Sequence, residues 1–470
     1  MGWYRDINAI LEHESETSLA YLYGHQLEQL SHLSNRPPRL RGAWLRLVIF
    51  LYQALNCTGF RASLPLKGRA TSFLFFAGTV NQRRSLQTTL RALVSAGKDT
   101  VAVATKSAMN TEEEGGQYVK LALRPVDLVL VLVLLIRRGP RLYRELKKLH
   151  PAALNWYFNC FCEAYIYLVY FYRLLRLAKP EYVVTANDHN VSNRCFLAVA
   201  HYLGIKTVYM QHASVSPLFP ALSVDYAFLD GLYAFKMYQQ CETNRHADAP
   251  YLHRETTVFF SGQKKPITRC RRSGEPVVGV ALNLLDHQEN AIAFIQSLVE
   301  AGLMVRLRWH PSLSERHVRA YLEAFENHDQ VSISDARSES VSAFLSSVSC
   351  LVAGNSSIHL EAALAGVKPI YYEVTSSDIP DYYGFVRQGL ASEASSTDQV
   401  VSIAKSDHDT YLPDPDAVRY YSSTYLTEWD GHEGELVADV LMRLESEQSI
   451  QCPQTRIGKY LSDGKIVGLE

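Results

Sequence analysis

The chain has 470 residues, 47% hydrophobic and 20% charged, and its 47 Lys/Arg and 48 Asp/Glu leave a formal net charge of −1. That length exceeds what one hydrophobic core usually spans, so two domains are expected, and the composition is that of an ordinary soluble globular chain. The eight cysteines (Cys57, Cys160, Cys162, Cys195, Cys241, Cys270, Cys350 and Cys452) form no paired framework, which points to buried thiols in a reduced, cytoplasmic compartment.

Residues 1–70 read as helical, with breaks at Pro37-Pro38 and Gly59. The first residues, Met-Gly-Trp-Tyr-Arg-Asp, lack an apolar signal core, so no export is expected. Apolar runs at 47–56 and 127–136 are too short to span a bilayer, and the second is expected to be a core segment. A Rossmann-like start follows: a strand over Ser72–Ala77, a turn at Gly78, a helix over 85–96 and a strand over Lys98–Thr105. Glu112–Gly116 reads as an acidic, glycine-rich loop, and residues 141–178 as long helices rich in Tyr, Leu and Phe.

Between residues 31 and 150 there are 20 Lys/Arg against 6 Asp/Glu, a local balance of +14 that leaves −15 for the rest. The cluster Arg137-Arg138, Arg141, Arg144, Lys147-Lys148 continues it. At helical spacing, 137, 141, 144 and 148 share one face, opposite Leu142, Leu146 and Leu149. A basic lobe beside apolar helices suits an anionic membrane surface, the inner face of a bacterial inner membrane being the expected place.

The next unit places Tyr182-Val-Val-Thr before the polar run Asn187-Asp188-His189, then a helix over 192–202 and a strand over 206–213 that ends in Gln211-His212. Strand ends in one βαβ unit project to the same sheet edge, where open α/β folds bind ligands. Val258–Gly262 closes the first domain, and the basic stretch Lys264–Arg272 reads as a linker. The second domain opens with the strand Pro276–Asn283, followed by a helix at 288–301, the strand Val305-Arg-Leu-Arg-Trp-His-Pro311 and a helix at 314–326. Pro311 ends strand pairing, so His310 sits at a carboxyl end, and alternation puts Arg308 on its face. Then comes Leu351-Val-Ala-Gly-Asn-Ser-Ser-Ile-His-Leu-Glu-Ala-Ala-Leu-Ala-Gly-Val-Lys-Pro-Ile-Tyr371, a strand, a polar turn, a helix of small residues and a second strand. Ser356 and Ser357 suit the helix N-terminus, a ready anion site, and Glu361 lies one turn along. Helices over 395–405 and 432–447 are expected to cap the domains, with a mobile tail after Pro453.

The His310-Pro311 and Ser356-Ser357 motifs, in this order and spacing, resemble those of GT-B glycosyltransferases of bacterial surface polysaccharides. They are most similar to the sialyltransferases, the Kdo-type ulosonic-acid transferases and the CDP-glycerol glycerophosphotransferases. The resemblance is strong over 275–390, looser over 180–262 and faint over 72–110. It implies a GT-B α/β fold: a helical extension (1–70), an acceptor domain (71–264), a nucleotide-sugar domain (265–450) and a tail (451–470), the two parallel sheets facing an interdomain cleft.

The implied reaction moves a sugar from a CMP-activated donor, Kdo-like or sialic-acid-like, to a capsule, O-antigen or lipooligosaccharide acceptor. Arg308, His310, Pro311, Asn355, Ser356, Ser357, Glu361 and Asn283 would hold the nucleotide donor. His310 would assist the leaving phosphate, His212 or Asp188 would be the base, and Asn187, His189 and Gln211 would face the acceptor. In the CDP-glycerol family a strand-end histidine is the proposed base; here Ala213 follows His212, where that pattern usually has glycine. Asp230-Gly231 lacks the first acid of the sialyltransferase motif and is set aside. Asp407-His-Asp409 and Asp414-Pro-Asp416 fall in a late polar loop and read as turns, so no metal site and no cofactor beyond the donor are expected. No Walker loop or Gly-x-Gly-x-x-Gly is present, and no nucleic-acid partner is expected. The enzyme alternatives are a CDP-polyol phosphotransferase and a sugar-nucleotide 2-epimerase, though a basic lobe has no use for the epimerase's small soluble substrate.

Overall fold

The computed structural model describes residues 2–13, 40–58, 71–109, 118–149, 151–217, 219–241, 256–265, 267–269, 275–311, 313–325, 328–377, 379–406, 411–448, 457–460 and 466–469. They form two compact units, Met1–Lys264 with His432–Glu470, and Lys265–Gly431.

The first unit begins with helices α1 (Gly2–His13) and α2 (Ala43–Asn56), then strand β1 (Phe73–Ala77), helix α3 (Val80–Ser95), and strands β2 (Thr100–Ala104) and β3 (Tyr118–Lys120). Two long helices follow, α4 (Pro125–Leu149) and α5 (Pro151–Ala178). They lead into β4 (Tyr182–Thr185), α6 (Val191–Tyr202), β5 (Lys206–Met210), β6 (Tyr226–Leu229), α7 (Leu232–Cys241) and β7 (Thr256–Phe260). The strands from β3 to β7 run parallel in the order β7-β6-β5-β4-β1-β2-β3. β1, Phe-Leu-Phe-Phe-Ala, is buried along its whole length, as a strand covered by helices on both faces must be. The aromatic run of α5 supplies that cover: Phe171 meets Phe76 edge to face at 4.8 Å and Phe196 at 4.9 Å. Inside this helical layer Asp127 pairs with Arg173, both buried, so each desolvated charge has its counter-charge.

The second unit alternates β8 (Val277–Ala281), α8 (Gln288–Glu300), β9 (Met304–Arg308), α9 (Glu315–Phe325), β10 (Val331–Ser334), α10 (Val341–Ser346), β11 (Cys350–Ala353), α11 (Ile358–Ala365), β12 (Lys368–Tyr371) and β13 (Ser392–Glu393), then α12 (Thr397–Lys405) and α13 (Pro415–Tyr421). Its six strands are all parallel, in the order β10-β9-β8-β11-β12-β13. Gly279 in β8 is a packing requirement. A Cβ there would come within 3.0 Å of Phe344 and 3.1 Å of Val348, the side chains that seat α10 on the sheet.

Two parallel-sheet α/β units are the GT-B architecture expected from the sequence, and four details differ. The chain from His432 joins the first unit rather than ending the second: α14 (Glu433–Glu445) packs on α3, and Lys98 pairs with Glu445 at 2.5 Å. The expected tail contains β14 (Ile457–Tyr460) and β15 (Ile466–Leu469), an antiparallel pair laid on the free edge of β7. Lys264 is buried in the first unit rather than lying in a linker. The 127–136 run is only half core: Val131 and Leu134 are buried, whereas Val129 and Ile136 are exposed. The six described cysteines are free thiols. Pro37-Pro38, Glu112–Gly116, Asp407–Asp409 and the side chain of Leu149 lie outside the described residues.

Candidate functional site

In the second unit the register sets three strand ends level. Ala281 is opposite Arg308, and Val280 opposite both Leu307 and Val352, so β9, β8 and β11 stop together. Two residues beyond each stop stand His310, Asn283 and Asn355. Neighbouring strands are about 4.8 Å apart, so these ends line one short stretch of the carboxyl edge. A Cβ on Gly354 would lie 3.8 Å from Asn283 Nδ2, which brings the β8 loop against the serine turn.

Each side chain there has a defined task. Asn283 Oδ1 accepts from the N–H groups of Leu285 (2.6 Å) and Asp286 (3.2 Å), and Asp286 Oδ2 accepts from Asn283 N–H at 2.7 Å. Asn355 Nδ2 donates to Ser377 Oγ (3.1 Å) and Ile379 O (2.9 Å), while its Oδ1 accepts from Tyr371 OH (3.2 Å) and Tyr382 N–H (2.8 Å). Both asparagines therefore shape loops, Asn283 through its Oδ1 and Asn355 through both ends of its amide.

Arg308 is likewise committed. It is buried over Phe344 and donates to Ser334 Oγ at 2.8 Å and Glu339 O at 2.9 Å, and desolvation lowers its pKa. It braces β9 against β10 and does not share an open face with His310. Pro311 is exposed, and its carbonyl accepts from Arg337 Nε at 3.3 Å.

The serine pair is different. α11 starts at Ile358, and its N-cap Ser357 has helical backbone angles and makes no side-chain cap. Ser356 Oγ accepts only a long 3.5 Å contact from Ile358 N–H. Both residues are half-exposed, so their hydroxyls and the first helical N–H groups are left at the positive end of the helix. Behind them His359 is fully buried, and its Nε2 donates to Ala353 O (3.1 Å) and Gly354 O (3.0 Å), tying the turn to the end of β11. Burial pushes its pKa down to about 4, so the ring is neutral.

Glu361 is buried and pairs with Lys265, a contact 96 residues apart that the sequence gives no sign of. His310 is exposed at the strand end, and partial desolvation lowers its pKa from the ordinary histidine value. Asp286, absent from the sequence expectations, has its carboxyl pushed up by burial to about 6. Its signal was the Asn283-Leu-Leu-Asp286 turn directly after a strand.

The first unit has its own carboxyl edge, formed by β1, β4, β5, β6 and β7. After β4, Asn187 Oδ1 accepts from the N–H groups of His189 (3.0 Å) and Asn190 (2.7 Å), an Asx turn that presents Asp188 and His189. His189 Nδ1 lies 3.0 Å from Asp188 Oδ1, and its ring packs on Phe219 at 4.5 Å. Tyr238 OH donates to Asp188 Oδ2 at 2.8 Å and stands 3.0 Å from the hydroxyl of Tyr209. Burial raises the pKa of both tyrosines well above the ordinary value, so they stay protonated beside the carboxylate.

Gln211 bridges strand ends, accepting from Asp230 N–H at 2.9 Å and donating to Ala213 O at 3.0 Å. It therefore helps to set the edge. His212 follows it, half-buried. Lys264 is buried and donates to Asp230 Oδ1 at 2.9 Å and Gly262 O at 2.8 Å, so the set-aside Asp230 is half of a buried ion pair. Among the described residues no three His, Cys, Asp or Glu side chains form a group able to hold a metal ion, and Asp414 caps α13 by accepting from Asp416 N–H at 2.9 Å.

No protein-family model matches the sequence, and no curated protein matches it. Solved structures do match in fold. The UDP complex of MnaA from S. aureus superimposes with a TM-score of 0.51 at 12% identity, over 82% of this chain and 99% of that one. The UDP-GlcNAc 2-epimerase of Neisseria meningitidis, bound to UDP-GlcNAc, gives 0.50 at 11% identity, over 79% and 100%. At these identities the likeness is one of fold.

Proposed function

We propose that the chain is a nucleotide-sugar-dependent glycosyltransferase whose donor phosphate sits at Ser356, Ser357 and the α11 N-terminus. The observation that carries this is the pair of uncommitted hydroxyls at a helix start, level with His310 across the edge of one parallel sheet. Such an edge supplies N–H groups, hydroxyls and a helix dipole to the negative charge that grows on a departing phosphate. His310, at the strand end level with the serines, serves there as a hydrogen-bond donor to the phosphate. Asp188, oriented by Tyr238 and His189, is the stronger candidate to accept a proton from an acceptor hydroxyl, with His212 second.

The motif resemblance supports a cytidine-linked donor of the ulosonic or sialic class and a saccharide acceptor. The basic α4 supports work on a lipid-linked acceptor at an anionic membrane surface. A second reading, sugar-nucleotide 2-epimerisation, is favoured by the fold match over nearly the full length of two structures solved with UDP or UDP-GlcNAc. The test is turnover with CMP-linked ulosonic acids, CDP-glycerol and UDP-GlcNAc, each with and without EDTA. Release of CMP from a CMP-linked ulosonic acid, but not from CDP-glycerol, that depends on a saccharide acceptor and survives EDTA supports the glycosyltransferase. Interconversion of UDP-GlcNAc with its C2 epimer and no transfer establishes the epimerase instead.

A further inference from the structure

Two helices of the first unit turn apolar faces outward. α2 packs inward through Phe50 and Ala54, while Trp44, Val48, Tyr52 and Leu55 follow one helical stripe on the other side. In the first half of α4, Val126, Val129 and Ile136 do the same. All seven are between 59% and 82% exposed. The sole charged residue of α2, Arg46, is buried and donates to Leu40 O at 2.7 Å, so no charge interrupts the outer stripe. The two helices meet end to start. Leu123 N–H donates to Cys57 O at 2.8 Å, and Thr58 and Leu123 form a parallel bridge.

From Arg137 onward α4 changes character. Arg137, Arg138, Arg141, Arg144, Lys147 and Lys148 face a single acid, Glu145, in that stretch of the chain. Arg141 pairs with Glu145 at 2.8 Å, Arg138 with Glu12 at 3.4 Å, and Arg137 lies over the Tyr4 ring. The surface thus runs from uncharged and apolar, with Trp and Tyr among its members, to strongly basic. Neither part can span a bilayer: α2 has 14 residues, and no described helix is long and apolar enough to cross.

We infer that this surface is an in-plane membrane anchor, with the outer face of α2 and the start of α4 sunk into the acyl boundary and the basic half of α4 on anionic headgroups. The inference rests on the membrane-surface reading above and assigns the penetrating element. Charge complementarity selects the occupant. Six cations, with only Arg138 and Arg141 paired to acids, fit a sheet of anionic headgroups, whereas two copies meeting symmetrically on this face would set like charge against like. Tyr and Trp are the residues favoured where one end of a side chain is apolar and the other wet.

The experiment uses the full chain and phosphatidylcholine vesicles with and without phosphatidylglycerol, some carrying brominated acyl chains. Trp44 fluorescence, isolated by difference from Trp44→Phe, is the depth probe. Wild type should bind the anionic vesicles with Trp44 quenched, and part of that binding should survive high salt. The triple variant Val48→Ser, Tyr52→Ser, Leu55→Ser should bind about tenfold more weakly and lose the salt-resistant part. The pair Arg144→Glu, Lys148→Glu should lose low-salt binding while Trp44 stays quenched on saturating vesicles. An unchanged far-UV circular dichroism melt of each variant reports an intact first unit. Salt-sensitive binding with Trp44 unquenched, or a triple variant that binds like wild type, overturns the anchor while leaving the membrane reading standing. A wild type that ignores anionic vesicles overturns both, and one that instead self-associates through α2 makes the face a contact between copies.

Discussion

The serine pair stands out because its hydroxyls make no short hydrogen bond within the fold, and His310 because it is exposed at a strand end level with them. Asn283, Asn355, Arg308, Asn187 and Gln211 have the right chemistry at the right strand ends, yet each has at least one polar atom held by loop N–H groups, carbonyls or a neighbouring strand. A sequence shows where a polar residue falls along a strand. It does not show which backbone groups will claim it, because those lie in loops whose path the pattern does not determine. The same limit hid Lys265 and Tyr238, whose partners Glu361 and Asp188 are 96 and 50 residues away. At this scale His310→Ala is expected to lower turnover by about 10²–10³, the loss usual for one donor to developing charge, with nucleotide binding largely kept. Steady-state kinetics of a variant shown to be folded by circular dichroism checks this, and near-normal turnover removes His310 from the chemistry.

The α11 helix and the strands around it were legible because their signals are local: apolar runs of strand length, Gly366 in a left-handed C-cap, and Ser-Ser at the start. β6 (Tyr226–Leu229) and β10 (Val331–Ser334) are as short as β4 and β11 but were not read from the sequence. The outward faces of α2 and α4 were missed because an apolar run reads as core whether or not anything covers it. The N-terminus of α11 also carries a pH dependence. His359 titrates near 4 when folded and near 6.5 when exposed, so as pH falls the unfolded chain takes the proton first. The stability from its neutral ring is full above about pH 6.5 and is lost between there and about pH 4, roughly 3 kcal/mol in all. The drop in melting temperature from about pH 7.5 to about pH 4.5 should therefore shrink in His359→Gln, relative to wild type. An identical drop in the two proteins contradicts this.

Across the whole molecule, alternating strands and helices made the two parallel sheets readable, since apolar strand runs separated by helical patterns leave few other arrangements. The ownership of the carboxyl-terminal segment was not readable. α14 looks like any amphipathic helix, and what sends it to the first unit is its fit against α3. Gly434 sits so close to α3 that a Cβ would come 2.1 Å from Thr88 Oγ1 and 2.5 Å from Thr88 Cβ. Gly434→Ala should therefore destabilise the first unit by about 1–3 kcal/mol through overpacking. Urea unfolding followed on that unit checks this, and an unchanged midpoint would mean that α14 is not held there by close approach.

The central claim is that a nucleotide binds through Ser356, Ser357 and the start of α11. It is tested most directly by titrating CMP, CDP, UDP, GDP and dTDP into wild type and into the double variant Ser356→Ala, Ser357→Ala, with calorimetric readout. Each lost hydroxyl–phosphate bond contributes on the order of 1.5–3 kcal/mol. The motif resemblance predicts that wild type binds a cytidine nucleotide selectively, and the lost phosphate bonds predict that the folded double variant binds it at least about tenfold more weakly. Equal affinity in the two proteins would contradict the account.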